Sequence, residues 1–140
     1  MAAYNKFNKF VDWLSKGTLN LSSDALMAFL TNTVPVSTNS IYSDISANDL
    51  GTANGYTAGG AAVSPTLSNT TGTEKLVGSN VTWTATGAIG PFRYAVLYDS
   101  TPASNKALIG WWDYGSSVTM ASGDTFTISF DATNGILQLA

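Results

Sequence analysis

Acid–base or nucleophilic chemistry in this chain would have to come from nine carboxylates, one arginine and many Ser and Thr hydroxyls, because histidine and cysteine are both absent. Without histidine there is no ordinary general base near neutral pH and no imidazole for a transition metal. Without cysteine there are no disulfides and no thiolate ligands. A carboxylate pair of the kind that hydrolyses glycosides is conceivable in Asp99 and Asp113, which flank a hairpin, but turn and strand-end roles fit both better. The series Asp44, Ser46, Asn48 and Asp49 starts like a calcium loop and then departs from it. Asp49 stands where the turn glycine belongs and Gly55 where a bidentate glutamate belongs, so an Asx-rich turn is the expectation. Gly59 and Gly60 lack the Lys and Ser/Thr of a phosphate loop and fit a bulge or a close backbone approach. No catalytic residue, cofactor or metal ligand is therefore assigned.

The surroundings of these residues point to binding. The stretch from Gly90 to Gly115 holds two strand-like runs around the polar turn 99–105, whose Pro102 and Ser, Thr and Asn neighbours favour a loop. Phe92, Tyr94, Val96 and Tyr98 alternate with Arg93, Ala95 and Leu97, the period of a strand with two different faces. Trp111 and Trp112 are adjacent, so a strand must point them to opposite faces. With Tyr114 they would make either a sugar-stacking platform or, the favoured reading, core on one face and a protein contact on the other.

The remaining elements frame that hairpin. Phe7, Phe10, Val11 and Leu14 fall at helical spacing and predict an amphipathic helix over 4–16, ended by Gly17. This arm, residues 1–20, would either cap the β core or dock on a neighbouring protein. It holds half of the basic residues, Lys6, Lys9 and Lys16 of six. The segment after Tyr94 carries Asp99, Asp113, Asp124 and Asp131 against Lys106, an asymmetry suited to orienting a partner. Asp24–Asn32 reads as a strand apolar on both faces and closed by Pro35. From Val36 to Thr73 the composition turns to Ser, Thr, Asn, Gly and Ala, where a short strand near 57–67 is expected. Strands are then expected at 75–77, 81–85, 117–120, 125–130 and 136–139, with Phe126, Ile128 and Phe130 facing inward. Short strands spaced by about 8 to 12 residues predict an all-β sandwich or barrel, in one domain with the β part over 21–140.

Net charge is −3 and charged residues make up 11% of the chain, so no basic patch marks a nucleic-acid partner. No apolar run reaches the roughly 20 residues of a membrane span, and no signal-peptide core is expected.

The run YNKFNKFVDWLSKGTLNLSSDALMAFLTNTVP, the stretch NGYTAGGAAV at 54–63, and GPFRYAVLYD with LIGWWDYGSSVTMASGDTFTISFDATNGILQL carry a likeness that covers nearly the whole chain. The sequence resembles the capsid cement, or decoration, proteins of tailed bacteriophages, in particular the jelly-roll cement proteins of short-tailed Bordetella-type phages. The resemblance implies a jelly-roll-like β-sandwich with a short N-terminal α-helix. It also implies a non-enzymatic virion protein on the outer head surface, bridging and stabilising major capsid subunits. A two-fold dimer is the default oligomer. Contact residues are expected on the arm, at Lys6, Phe7, Lys9 and Trp13, on a polar loop at Asn54 and Tyr56, and at Trp112. A carbohydrate-binding or host-adhesion module of the virion is the alternative.

Overall fold

The computed structural model describes residues 2–140 and is an all-β sandwich with one short N-terminal helix. In chain order the elements are β1 (Tyr4–Lys6), α1 (Phe10–Ser15), β2 (Leu26–Thr31), β3 (Ala61–Val63), β4 (Pro65–Thr70), β5 (Thr73–Gly78), β6 (Val81–Thr84), β7 (Ile89–Asp99), β8 (Leu108–Met120), β9 (Thr125–Ile128) and β10 (Leu137–Leu139). A central antiparallel sheet runs β1-β8-β7-β2-β3, and the smaller sheets β10-β5-β4 and β6-β9 pack on one side of it. The chain crosses from the central sheet to a smaller one where β3 leads into β4.

The hairpin of β7 and β8 is the longest pairing, and both faces of the central sheet are covered. Leu26, Ala28 and Leu30 of β2 enter the larger cluster, with Leu97, Ile109, Trp83 and Leu76. Met27 and Phe29 point the other way, to a smaller cluster with Phe7, Ile45, Val96, Tyr98 and Leu108. The apolar character of both faces of β2 follows from this double burial. Trp111 and Trp112 divide in the same way, Trp111 to the smaller cluster and Trp112 to the larger, each half-buried. A register shift between Phe92 and Tyr94 corrects the simple alternation: Phe92 lies in the larger cluster whereas Val96 and Tyr98 lie in the smaller. One extra residue in a ladder turns every side chain before it to the other face.

The N-terminus departs from the expected helix over 4–16. Tyr4–Lys6 is a strand, pairing Tyr4 with Trp112 and Lys6 with Gly110, and the helix is confined to Phe10–Ser15. Phe7 packs on Trp111, with ring centroids 4.6 Å apart, in the smaller cluster, while Phe10 joins the larger one. Rings three residues apart on opposite sides of a sheet cannot share a helical stripe. Val11 is consequently exposed. Gly110 is required where β1 pairs with β8, since a Cβ there would meet the Tyr4 ring.

The polar stretch 36–73 is ordered by two 3-10 turns, Tyr42–Asp44 and Ser46–Asn48, before β3 and β4. It covers the second face of the sheet with Tyr42 and Ile45. Strand bounds elsewhere move by a few residues, and the expected strand at 117–120 is the end of β8.

Candidate functional site

The candidate site is an open cleft of about 320 Å³ between the distal half of the β7–β8 hairpin and the segment 126–131. Two period-2 patterns build it. Trp112 and Tyr114 stand two residues apart on β8, and Phe126, Ile128 and Phe130 stand two apart on β9 and its continuation, so each set projects into the space between. Phe92, Ala95 and Leu30 form the floor. Trp112 lies between Tyr4 and Phe130, with centroids at 5.6 and 5.5 Å, and Tyr114 meets the edge of Phe126 at 5.6 Å. Tyr114 is 59% exposed, so one ring of the wall is presented to solvent.

Two carboxylates at the rim of the cleft, Asp113 beside Arg93 and Asp131, are already engaged. Arg93 holds Asp113 through Nε at 2.7 Å and Nη2 at 2.9 Å, and this guanidinium keeps the Asp113 carboxyl below the usual carboxylate range. The Gly115 amide donates to the same carboxylate at 2.8 Å and adds to that effect. Asp131 accepts from the amides of Asn134 and Thr133 and from the Asn134 side chain, and these bonds likewise hold its carboxyl low. Both carboxylates are thus anions that accept hydrogen bonds and have no proton to give near neutral pH. Burial pushes the Tyr4 hydroxyl far up, and it donates to the Ile109 carbonyl at 3.2 Å. The arrangement offers stacking surface and fixed rim charge, which is binding chemistry.

Asp99 and Asp113 are not brought together. Asp113 pairs with Tyr94 and Asp99 with Leu26, five residues further along β7, a separation of about 17 Å along the strand. Asp49 is a hub rather than the seat of an ion. It accepts from Tyr56 Oη at 2.6 Å, Tyr42 Oη at 2.7 Å and the Gly59 amide at 2.5 Å, while Asp44 caps the amides of Ser40 and Ile41. Tyr98 donates to the Gly59 carbonyl at 2.8 Å, and its hydroxyl is pushed up to about 12 by burial. Tyr56 accepts from the Leu30 amide, so this network clamps the polar stretch onto β2.

The seven residues expected at a contact are dispersed. Trp112 alone lines the cleft. Lys6 is exposed at the end of β1, and Lys9 pairs with Asp12 at 2.7 Å while lying over the Trp13 ring. Trp13 packs against the larger cluster, with its Nε1 buried and lacking a protein partner. Asn54 is exposed in a left-handed turn, φ 56°, and donates to the Ala88 carbonyl. Phe7 and Tyr56 are core, at 0% and 2% exposure, and offer no side-chain surface. The cleft residues not singled out by sequence are Tyr4, Phe126 and Phe130 as walls; the inward alternation of 126–130 was the signal for the two phenylalanines, and Tyr4 had none. Asp49 had none, since its donors come from residues 7 to 10 positions away without a periodic pattern.

Among the described residues no helix is long and apolar enough to cross a membrane. Comparison with protein-family models, curated proteins and solved structures finds no match.

Proposed function

We propose that the protein is a capsid cement, or decoration, protein of a tailed bacteriophage, a non-enzymatic virion component on the outer head surface that bridges and stabilises major capsid subunits. The sequence resemblance supplies the identity of the partner. The observation that carries the reading as a binding protein is the preformed aromatic cleft with Tyr114 open to solvent. Such a cleft receives an apolar or aromatic side chain of a neighbouring subunit without reorganising, and preorganised aromatic pockets are where interface energy concentrates. Binding only the assembled shell stabilises it by mass action, and repetition over a symmetric lattice multiplies modest contacts. A two-fold dimer suits positions between capsomers. The deciding experiment adds the purified protein to capsids that lack it and measures co-sedimentation and shell melting. Saturable binding with a raised melting temperature supports the proposal; no binding and no change sinks it.

The alternative, a carbohydrate-binding or host-adhesion module of the virion, draws on the same cleft. Trp112 and Tyr114 are half-buried and exposed rings flanked by fixed polar groups, the makings of a sugar-stacking site. Glycan-array binding without capsid binding would favour this reading over the first.

A further inference from the structure

At the end of the β7–β8 hairpin remote from the cleft, one buried acid has an oxygen without a donor among the described residues. Asp99 is 0% exposed, and its Oδ2 has no hydrogen-bond donor among the described residues. Its Oδ1 accepts from the Thr101 amide at 2.9 Å. The ladder places Leu26 opposite Asp99, so Asp24 is the diagonal neighbour on the same face. Asp24 approaches from the turn before β2, where its Oδ2 caps the Asn20 amide at 2.7 Å, and its carboxyl lies within hydrogen-bond reach of Asp99. Two carboxylates both accept and neither donates, so a direct contact between half-buried Asp24 and fully buried Asp99 requires a proton or a cation.

We propose that Asp24 and Asp99 share one proton and form a proton-sensitive latch between the turn before β2 and the loop 100–107. The alternative of a bound cation is poorly served. A hard cation takes six or more oxygen ligands, whereas no group of three or more Asp, Glu, His or Cys is found among the described residues and two of the four carboxylate oxygens already accept amides. The groups facing Asp99 are Asp24 from the preceding turn and the Thr101 amide and hydroxyl from its own loop; no Lys or Arg acts on it. Desolvation by burial, and then the Asp24 charge, raise the Asp99 pKa against the lowering effect of Thr101.

The latch acts on a small set of bonds. Ser100 donates to the Ala25 carbonyl through both its amide and its hydroxyl at 2.8 Å, and the Ala25 amide donates to Thr101 Oγ1 at 2.6 Å. The same loop receives the Tyr42 amide at the Lys106 carbonyl, so it also braces the polar stretch. Because the folded pKa is raised, the shared-proton bond is complete at acid pH and is lost as pH rises through it, when the proton passes to water and two carboxylates are left facing each other. Loosening of the loop then follows.

The test follows the wild-type Asp99 carboxyl carbon by NMR from about pH 4 to 8, together with amide hydrogen exchange at Ala25, Ser100 and Thr101 corrected for intrinsic rate. The expected result is an Asp99 titration above the ordinary aspartate range and protection that falls as pH rises through it, by about tenfold for each pH unit separating that titration from the ordinary aspartate value. Asp99→Asn, whose amide can donate to Asp24 at every pH, should remove the pH dependence. An ordinary or lowered Asp99 titration, pH-independent protection, or protection abolished by chelator and restored by calcium would each overturn the latch. If Asp99→Asn fails to fold, Asp24→Asn is the second variant, and the wild-type titration decides without either.

Discussion

Two tyrosine-rich regions lie on this one sheet and have become opposites. On one side Tyr42 and Tyr98 stack at 4.7 Å and bond through their hydroxyls to Asp49 and Gly59, and the Tyr56 hydroxyl reaches the same Asp49 although its ring packs in the larger cluster. On the other, Tyr4, Tyr94, Trp112 and Tyr114 line a cleft that remains open. Aromatic content is alike; the difference is a lid. The polar stretch 36–60 folds over the first region because a single carboxylate collects three donors there, whereas over the second the covering strand β9 pairs only with β6 and leaves a gap. A cluster of aromatic residues becomes core or site according to whether the chain supplies groups that satisfy its polar atoms and close it.

Removing the clamp is the strongest way to break that contrast. Asp49→Ala leaves the Tyr42 and Tyr56 hydroxyls and the Gly59 amide without their acceptor, and should cost about 3 kcal/mol or more in urea unfolding. A loss below about 1 kcal/mol would mean that apolar packing alone holds the lid. Trp112→Ala, in the open region and only half-buried, should cost about 2 kcal/mol, less than a fully buried aromatic, while abolishing saturable binding to capsids. Asp113→Asn acts on pH dependence. Its carboxyl is held low, so the stabilisation it gives is present above the ordinary carboxylate range and is lost as pH falls; the variant should flatten the acid limb of the stability profile measured by thermal melts. Tyr114→Ala should sharpen the comparison most finely, with stability within about 0.5 kcal/mol of wild type and capsid affinity reduced several-fold by sedimentation. Unchanged affinity would move the contact elsewhere on the surface.

What the sequence disclosed and what it withheld divide along the same physical lines. The all-β class, the long hairpin and the double burial of β2 were legible because alternation is a local signal. The strand at Tyr4–Lys6 was not, because pairing with β8 is decided more than a hundred residues away and overrode a helical spacing that Phe7 and Phe10 happened to share. The bulge between Phe92 and Tyr94 left no mark in residue types, yet it decides which ring reaches the larger cluster. The division of Trp111 and Trp112 between the two faces was legible from their adjacency. Tyr56 was misplaced at the surface because its setting among Asn, Gly and Thr reads as a polar loop, while its hydroxyl serves the buried clamp.

The pairing of β1 alongside β8 at Gly110 also protects the edge of the sheet. The central sheet is bounded by β1 and β3, each three residues long, so neither edge offers a long row of free amides and carbonyls. Without Tyr4–Lys6 in place, one arm of the longest hairpin in the molecule would become a bare edge, the template on which strands of separate molecules zip into aggregates. Gly110, by admitting the Tyr4 ring, is in this sense a safeguard against edge-to-edge aggregation.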